Sequence, residues 1–129
     1  MPSVAALPDL APLVAPLLGA SYEEWDCWAL TRHLLLTGLA IDLETEPEHA
    51  QGMLWEVWWH EDPVPVQAVM QPWDLVILAP GGLVSESVGL AVDTSTFVHT
   101  NPQTGVALAH VTRWRKRILQ LAKLRSLFV

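Results

Sequence analysis

The chain has a single cysteine, Cys27, in 129 residues. A lone thiol closes no internal disulfide and supplies no thiolate zinc cluster, which is compatible with a reducing compartment. Neither a metal nor a cofactor is expected. Positive charge is almost as scarce: the first Lys or Arg is Arg32, and the next is Arg113. The apolar segment VAALPDLAPLVAPLLGA therefore lacks the positive start of a secretory signal, and is expected to be mature protein made in the cytoplasm without a signal peptide. Long unbroken hydrophobic runs are missing as well. Pro8, Asp9, Pro12 and Pro16 interrupt that segment, so no membrane-spanning helix is expected from it.

What the chain does have is apolar material and segregated charge. Hydrophobic residues make up 51% and mean hydropathy is +0.29, more than a small monomer usually hides, which points to a partner surface. The length suits one compact domain over residues 1–129. Net charge is −7, yet every acid lies before residue 94, and six of the seven basic residues fall in the last 17 positions. Such a basic run is a solvated face or a patch for an acidic partner. Nucleic acid is not expected, because interleaved recognition residues are missing. Arg113, Arg115 and Arg117 are the interface candidates in this run.

Asp26 is a good helix N-cap, followed by an apolar run to Leu36 and a glycine at position 38 that weakens or ends the helix. Trp28, Leu30, Leu34, Leu35, Leu36 and Leu39 cover most of its circumference, which predicts burial all round. A second helix is expected over Pro47–Trp59. There Trp55, Trp58 and Trp59 fall at i, i+3 and i+4 and would share one face, as core or as a partner interface. The period then changes. DLVILAP, SVGLAVD, TFVHTNP and GVALAHV are β-rich runs separated by Gly, Pro, Asp and Asn, too close together for helical crossovers. TRWRKR is expected to form a turn or short helix before a last strand near Ile118–Leu124. The fold class is thus α+β, with N-terminal helices on a mainly antiparallel sheet of about five strands.

Cys27 falls in the first turn of its helix, where the positive end of the dipole favours a thiolate. A lone Cys among Trp and Leu is also a common small core residue, and the helix alone favours that reading. A nucleophile needs a histidine base and a group that orients it. His33 lies six residues on, roughly 9 Å along the axis, out of reach of the thiol. His49 and His60 belong to the acidic, Trp-rich second segment. The strand histidines, His99 and His110, remain as candidates.

Four motifs in order resemble the NlpC/P60 cysteine peptidases, in particular the short form of tailed bacteriophages. Asp26-Cys27-Trp28-Ala29-Leu30 is similar to the family's Asp-Cys-Trp-Gly-Leu at the start of the core helix. Pro72-Trp73-Asp74, followed by Leu75–Leu78, is similar to its Pro-Gly-Asp and strand. Ser87-Val88-Gly89-Leu90 matches a His-Val-Gly-Ile strand. Phe97-Val98-His99-Thr100 matches a later Phe-Val-His-Ala run, with the two key positions twelve residues apart in this chain. The tail RWRKRIL resembles the Trp-Arg-rich ending of phage members. The resemblance covers 18–125, leaving 1–17 as a Pro/Ala/Leu-rich extension.

The resemblance implies a papain-like fold in which Cys27 holds the nucleophile position, Ser87 stands where the base histidine would be, and His99 takes the orienting position behind it. A serine hydroxyl accepts no proton near neutral pH, which removes a contribution on the order of 10²- to 10⁴-fold. Tyr22 is only five residues before Cys27 and no Gly-Gly precedes it, so the family's Tyr-x-Trp-Gly-Gly cleft loop is shortened. Ala29 and Trp73 replace family glycines and would add bulk to the groove. Tyr22, Asp26 and Trp28 are the expected substrate contacts. The resemblance implies a catalytically silent structural or assembly component of a phage tail or tail tip, whose partners are other tail proteins. The alternatives are an active peptidoglycan endopeptidase with His99 recruited as base, or a non-cleaving module for peptidoglycan stem peptides.

Overall fold

The computed structural model describes residues 7–42, 57–59, 70–78 and 87–124, and its architecture is α+β. The prolines of the N-terminal segment set its local form. Pro12 lies in the first turn of a one-turn helix, α1 (Ala11–Val14), and Pro16 in the 3-10 turn Ala15–Leu17 that follows. Proline is tolerated only where its missing N–H would have been unpaired anyway, so each helix is restarted rather than extended.

The core helix, α2, spans Cys27–Leu39. Its start is the expected one: the Asp26 carboxylate accepts from the Ala29 N–H at 2.8 Å. Its end corrects the expectation at Gly38. The helix passes through that glycine and stops at Ala40, which takes the left-handed conformation with φ of 57°. Gly38 is there for space, because a Cβ would run into the ring of Trp73. The expected all-round burial is also corrected. Trp28, Leu30, Thr31, Leu34 and Leu35 are buried, whereas Leu36 is exposed, so α2 lies on the sheet with one face only.

Six strands form one sheet in the order β1-β6-β2-β3-β4-β5, and every recorded pair is antiparallel. They are β1 (Val57–Trp59), β2 (Leu75–Leu78), β3 (Ser87–Ala91), β4 (Thr96–Asn101), β5 (Gly105–His110) and β6 (Ile118–Leu124). β1 overturns the helix expected over Pro47–Trp59. Val57–Trp59 pairs with Ala122–Leu124, so a helical face shared by Trp55, Trp58 and Trp59 does not form; Trp55 itself lies outside the described residues. A short apolar run carries no local period strong enough to distinguish helix from strand, and the distant partner β6 decides.

β2 is buried along its whole length because both sheet faces are covered. Leu75 and Ile77 join Leu30, Leu34, Val88, Leu90 and Val98 beneath α2. Val76 and Leu78 join Met70, Phe97, Ala109 and Leu121 on the far side, against a short helix, α3 (Val111–Trp114), which runs into the 3-10 turn Arg115–Arg117. At the β4–β5 turn, Asn101 Oδ1 accepts from the N–H groups of Gln103 and Thr104, both at 2.9 Å. Gly105 follows with φ of 67°, and a Cβ there would strike the Ala20 carbonyl.

Trp73 is the departure with most structural weight. It adopts φ of 74°, which an L side chain takes at a cost of about 1–2 kcal/mol, yet it is 1% exposed. Its Nε1–H donates to the Pro8 carbonyl at 2.9 Å. The expectation that Trp73 fills a groove beside the thiol is corrected: its ring sits against Gly38, eleven residues beyond Cys27 and so roughly 16 Å along α2. Trp73→Ala should cost about 3–5 kcal/mol. Trp73→Gly should cost about 1 kcal/mol less than the alanine variant, because glycine adopts this φ freely. Urea unfolding of the two variants beside the wild type checks both the sign and the order.

Candidate functional site

Cys27 is the first residue of α2, half-buried, and packs against the core on the helix side of the sheet. Its carbonyl accepts from Thr31 Oγ1 at 2.8 Å, which ties the first turn to the second. Tyr22 stands next to it: burial, and then the negative charges of Cys27 and Asp26, hold its phenol above the ordinary value near 10. Asp26 is exposed and uses Oδ1 as the helix cap. Trp28, also expected to contact substrate, is a core residue at 8% exposure, turned inward beneath α2. Ala29 is half-buried and serves the cap through its N–H.

Each histidine among the described residues has a partner other than Cys27. The His33 ring lies 4.8 Å from that of Trp25. His110 Nδ1 lies 2.7 Å from Thr112 Oγ1 and accepts from the Thr112 N–H, capping α3. The His99 ring stands 4.6 Å from that of Trp114 and 5.7 Å from that of Phe97. His49 and His60 lie outside the described residues.

Strand alternation accounts for the position of His99. Val98 belongs to the core beneath α2 and Phe97 to the core on the far side, so His99, two residues after Phe97, shares the far face. Ser87, the first residue of β3, opens onto that face too. Ser87 and His99 line one cavity of about 420 Å³ with Leu78, Asn101, Trp114 and Arg117. The two positions that the sequence places twelve apart are thus brought together, and Cys27 is not among the residues lining their cavity.

Apart from Arg117 at its rim, the side chains lining this cavity are uncharged at neutral pH. Burial pushes the His99 pKa below its ordinary 6.5, so the imidazole is neutral at pH 7. Arg117 lies over the Trp114 ring at 5.1 Å from its centroid. Sequence reasoning missed the Trp114 contact, which no local pattern marks. It also missed Thr100, whose buried Oγ1 has no hydrogen-bond partner among the described residues.

His99 supplies a pH test. A histidine whose folded pKa lies below its unfolded value binds its proton more readily when unfolded, so its contribution is intact above about pH 6.5 and is lost as pH falls from there towards the folded pKa. Urea midpoints should therefore fall between pH 7.5 and pH 5.5, and His99→Leu should flatten that fall. An unchanged slope in the variant would remove His99 as its source.

No family model and no curated protein matches the sequence. The fold does match solved structures. A protein of the NLP/P60 family, similar to a lipoprotein, from Staphylococcus aureus subsp. aureus Mu50 superposes with a TM-score of 0.62 at 15% identity, over 90% of this chain and 40% of that one. The wild-type endolysin LysIME-EF1 superposes with a TM-score of 0.56 at 18% identity, over 96% of this chain and 65% of that one. The chain spans less than two thirds of either protein. Its α2-on-sheet architecture is an NlpC/P60-like fold.

Proposed function

We propose that this chain is a catalytically impaired NlpC/P60-like protein that serves as a structural or assembly component of a phage-type tail or tail tip. The observation that carries the reading is that His33, His99 and His110 engage Trp25, Trp114 and Thr112, and no hydrogen bond joins any of them to Cys27 among the described residues. Ser87, in the position where the motif resemblance puts the base, cannot accept the thiol proton. The phage context rests on the motif resemblance, including the Trp-Arg-rich tail, and the fold likeness to an endolysin and an NLP/P60 protein supports the cell-wall side of that ancestry. An NlpC/P60-like domain that has lost its proton acceptor keeps its surfaces, and the high apolar content gives those surfaces something to bury against neighbouring tail proteins.

Purified protein incubated with muropeptides should leave them intact by mass spectrometry, with wild type and Cys27→Ala indistinguishable. Cys27-dependent cleavage would establish the endopeptidase instead. Iodoacetamide should alkylate Cys27 at pH 6 slower than it does a histidine-paired cysteine, by on the order of 10²-fold. Calorimetric binding of stem peptides without turnover would assign the domain to wall recognition rather than to assembly.

A further inference from the structure

We propose that the open edge of β5, beside the Arg113–Arg117 turn, takes an extended acidic segment of a partner protein as an added strand. The proposal carries the structural reading above to the chemistry of the partner, and rests on it only in supposing that this chain works by binding.

β5 ends the sheet, and among the described residues only its first part is covered. Val106 accepts from the Gly19 N–H and donates to the Ala20 carbonyl, both at 2.9 Å, so its peptide groups face outward. The two-residue period turns those of Leu108 outward as well, where no described residue pairs them. The Leu108 side chain is 48% exposed. An unpaired edge carrying an exposed leucine is a template for another strand, and folded proteins usually cover or charge such edges.

The charge beside this edge selects the partner. Arg113, Arg115, Lys116 and Arg117 fall within five positions and all are exposed. Among the described residues none of them meets a carboxylate; the ion pair found there joins Arg32 of α2 to Asp42 just beyond its end. A cavity of about 440 Å³ joins edge to turn, lined by Leu108, His110, Arg113 and Trp114, with room for a side chain of the incoming strand. Open backbone groups and apolar lining suit a polypeptide. A net charge of −7 opposes a long polyanion such as nucleic acid, whose charges extend beyond the basic patch.

The test uses the full chain and a fluorescein-labelled ten-residue peptide alternating Glu with Val, read by anisotropy. A Lys–Val peptide of the same length and a single-stranded oligonucleotide serve as controls. The Glu–Val peptide should bind, with affinity reduced about tenfold by Arg113→Glu/Arg115→Glu, which alters two exposed side chains. Leu108→Pro should weaken it by about the same factor, since it removes one outward N–H and leaves the bonds to β4, made by its neighbours, in place. Circular dichroism confirms that each variant is folded. No binding of the acidic peptide, equal binding of either control, or an unchanged affinity in folded Leu108→Pro would overturn the proposal. So would self-association that Leu108→Pro abolishes, which would give the edge to a second copy. None of these outcomes bears on the muropeptide result, so the two readings fail separately.

Discussion

The seating of the Trp73 indole between Pro8 and Gly38 is the contact on which the rest of the fold is built. It joins the N-terminal segment, the far end of α2 and the approach to β2, three pieces that sequence distance would otherwise leave independent. Its backbone is unfavourable by about 1–2 kcal/mol for an L residue. Burying an aromatic of this size removes roughly 150–250 Å² from water, an upper estimate of about 4–6 kcal/mol at roughly 25 cal/mol per Å². Burial wins, and the left-handed conformation becomes the means of aiming the ring at the helix. A glycine in this place would turn the chain equally well but would leave the helix end unsupported. The substitution at Trp73 therefore bears on architecture, at the opposite end of α2 from the thiol.

With one end of α2 fixed by Trp73, the other is fixed by Asp26, by the Thr31 bond to Cys27 and by the pairing of Gly19 and Ala20 with Val106. The thiol is thus held at a defined place on the helix side of the sheet. The His99 imidazole is held elsewhere, against the rings of Phe97 and Trp114. A neutral histidine packed against two aromatic rings is stabilised where it is. Bringing it to a thiol would require giving up those contacts and its burial.

Much of this was legible in the sequence, and the failures have physical causes. The start of α2 was readable because Asp26 is a cap whose effect is confined to its own turn. Strands β2 to β5 were readable because Gly, Pro, Asp and Asn separate them and because each pairs with a close neighbour in the chain. The motif resemblance singled out Ser87 and His99, and the two residues line one cavity. β1 was misread because its identity depends on Ala122–Leu124, beyond the reach of any local period. The exposure of Leu36 and the seat of Trp73 were hidden for a related reason. Hydrophobicity says that a side chain tends to be buried; the neighbouring layer determines which side chains are.

The segregation of charge acquires meaning once the sheet is in view. Four cations in five positions repel one another, and a fold gains nothing by gathering them unless a carboxylate is near or the cluster is used. In the described structure the gathering happens on one short turn, and the only relief visible there is Arg117 over the Trp114 ring. That same ring lies against His99 and lines both the cavity of Ser87 and the cavity beside Leu108. Trp114 therefore connects the Ser87–His99 cavity to the cavity beside Leu108 at the edge of the sheet. The strand edge, Trp114 and His99 thus adjoin one another, and Cys27 lines neither cavity.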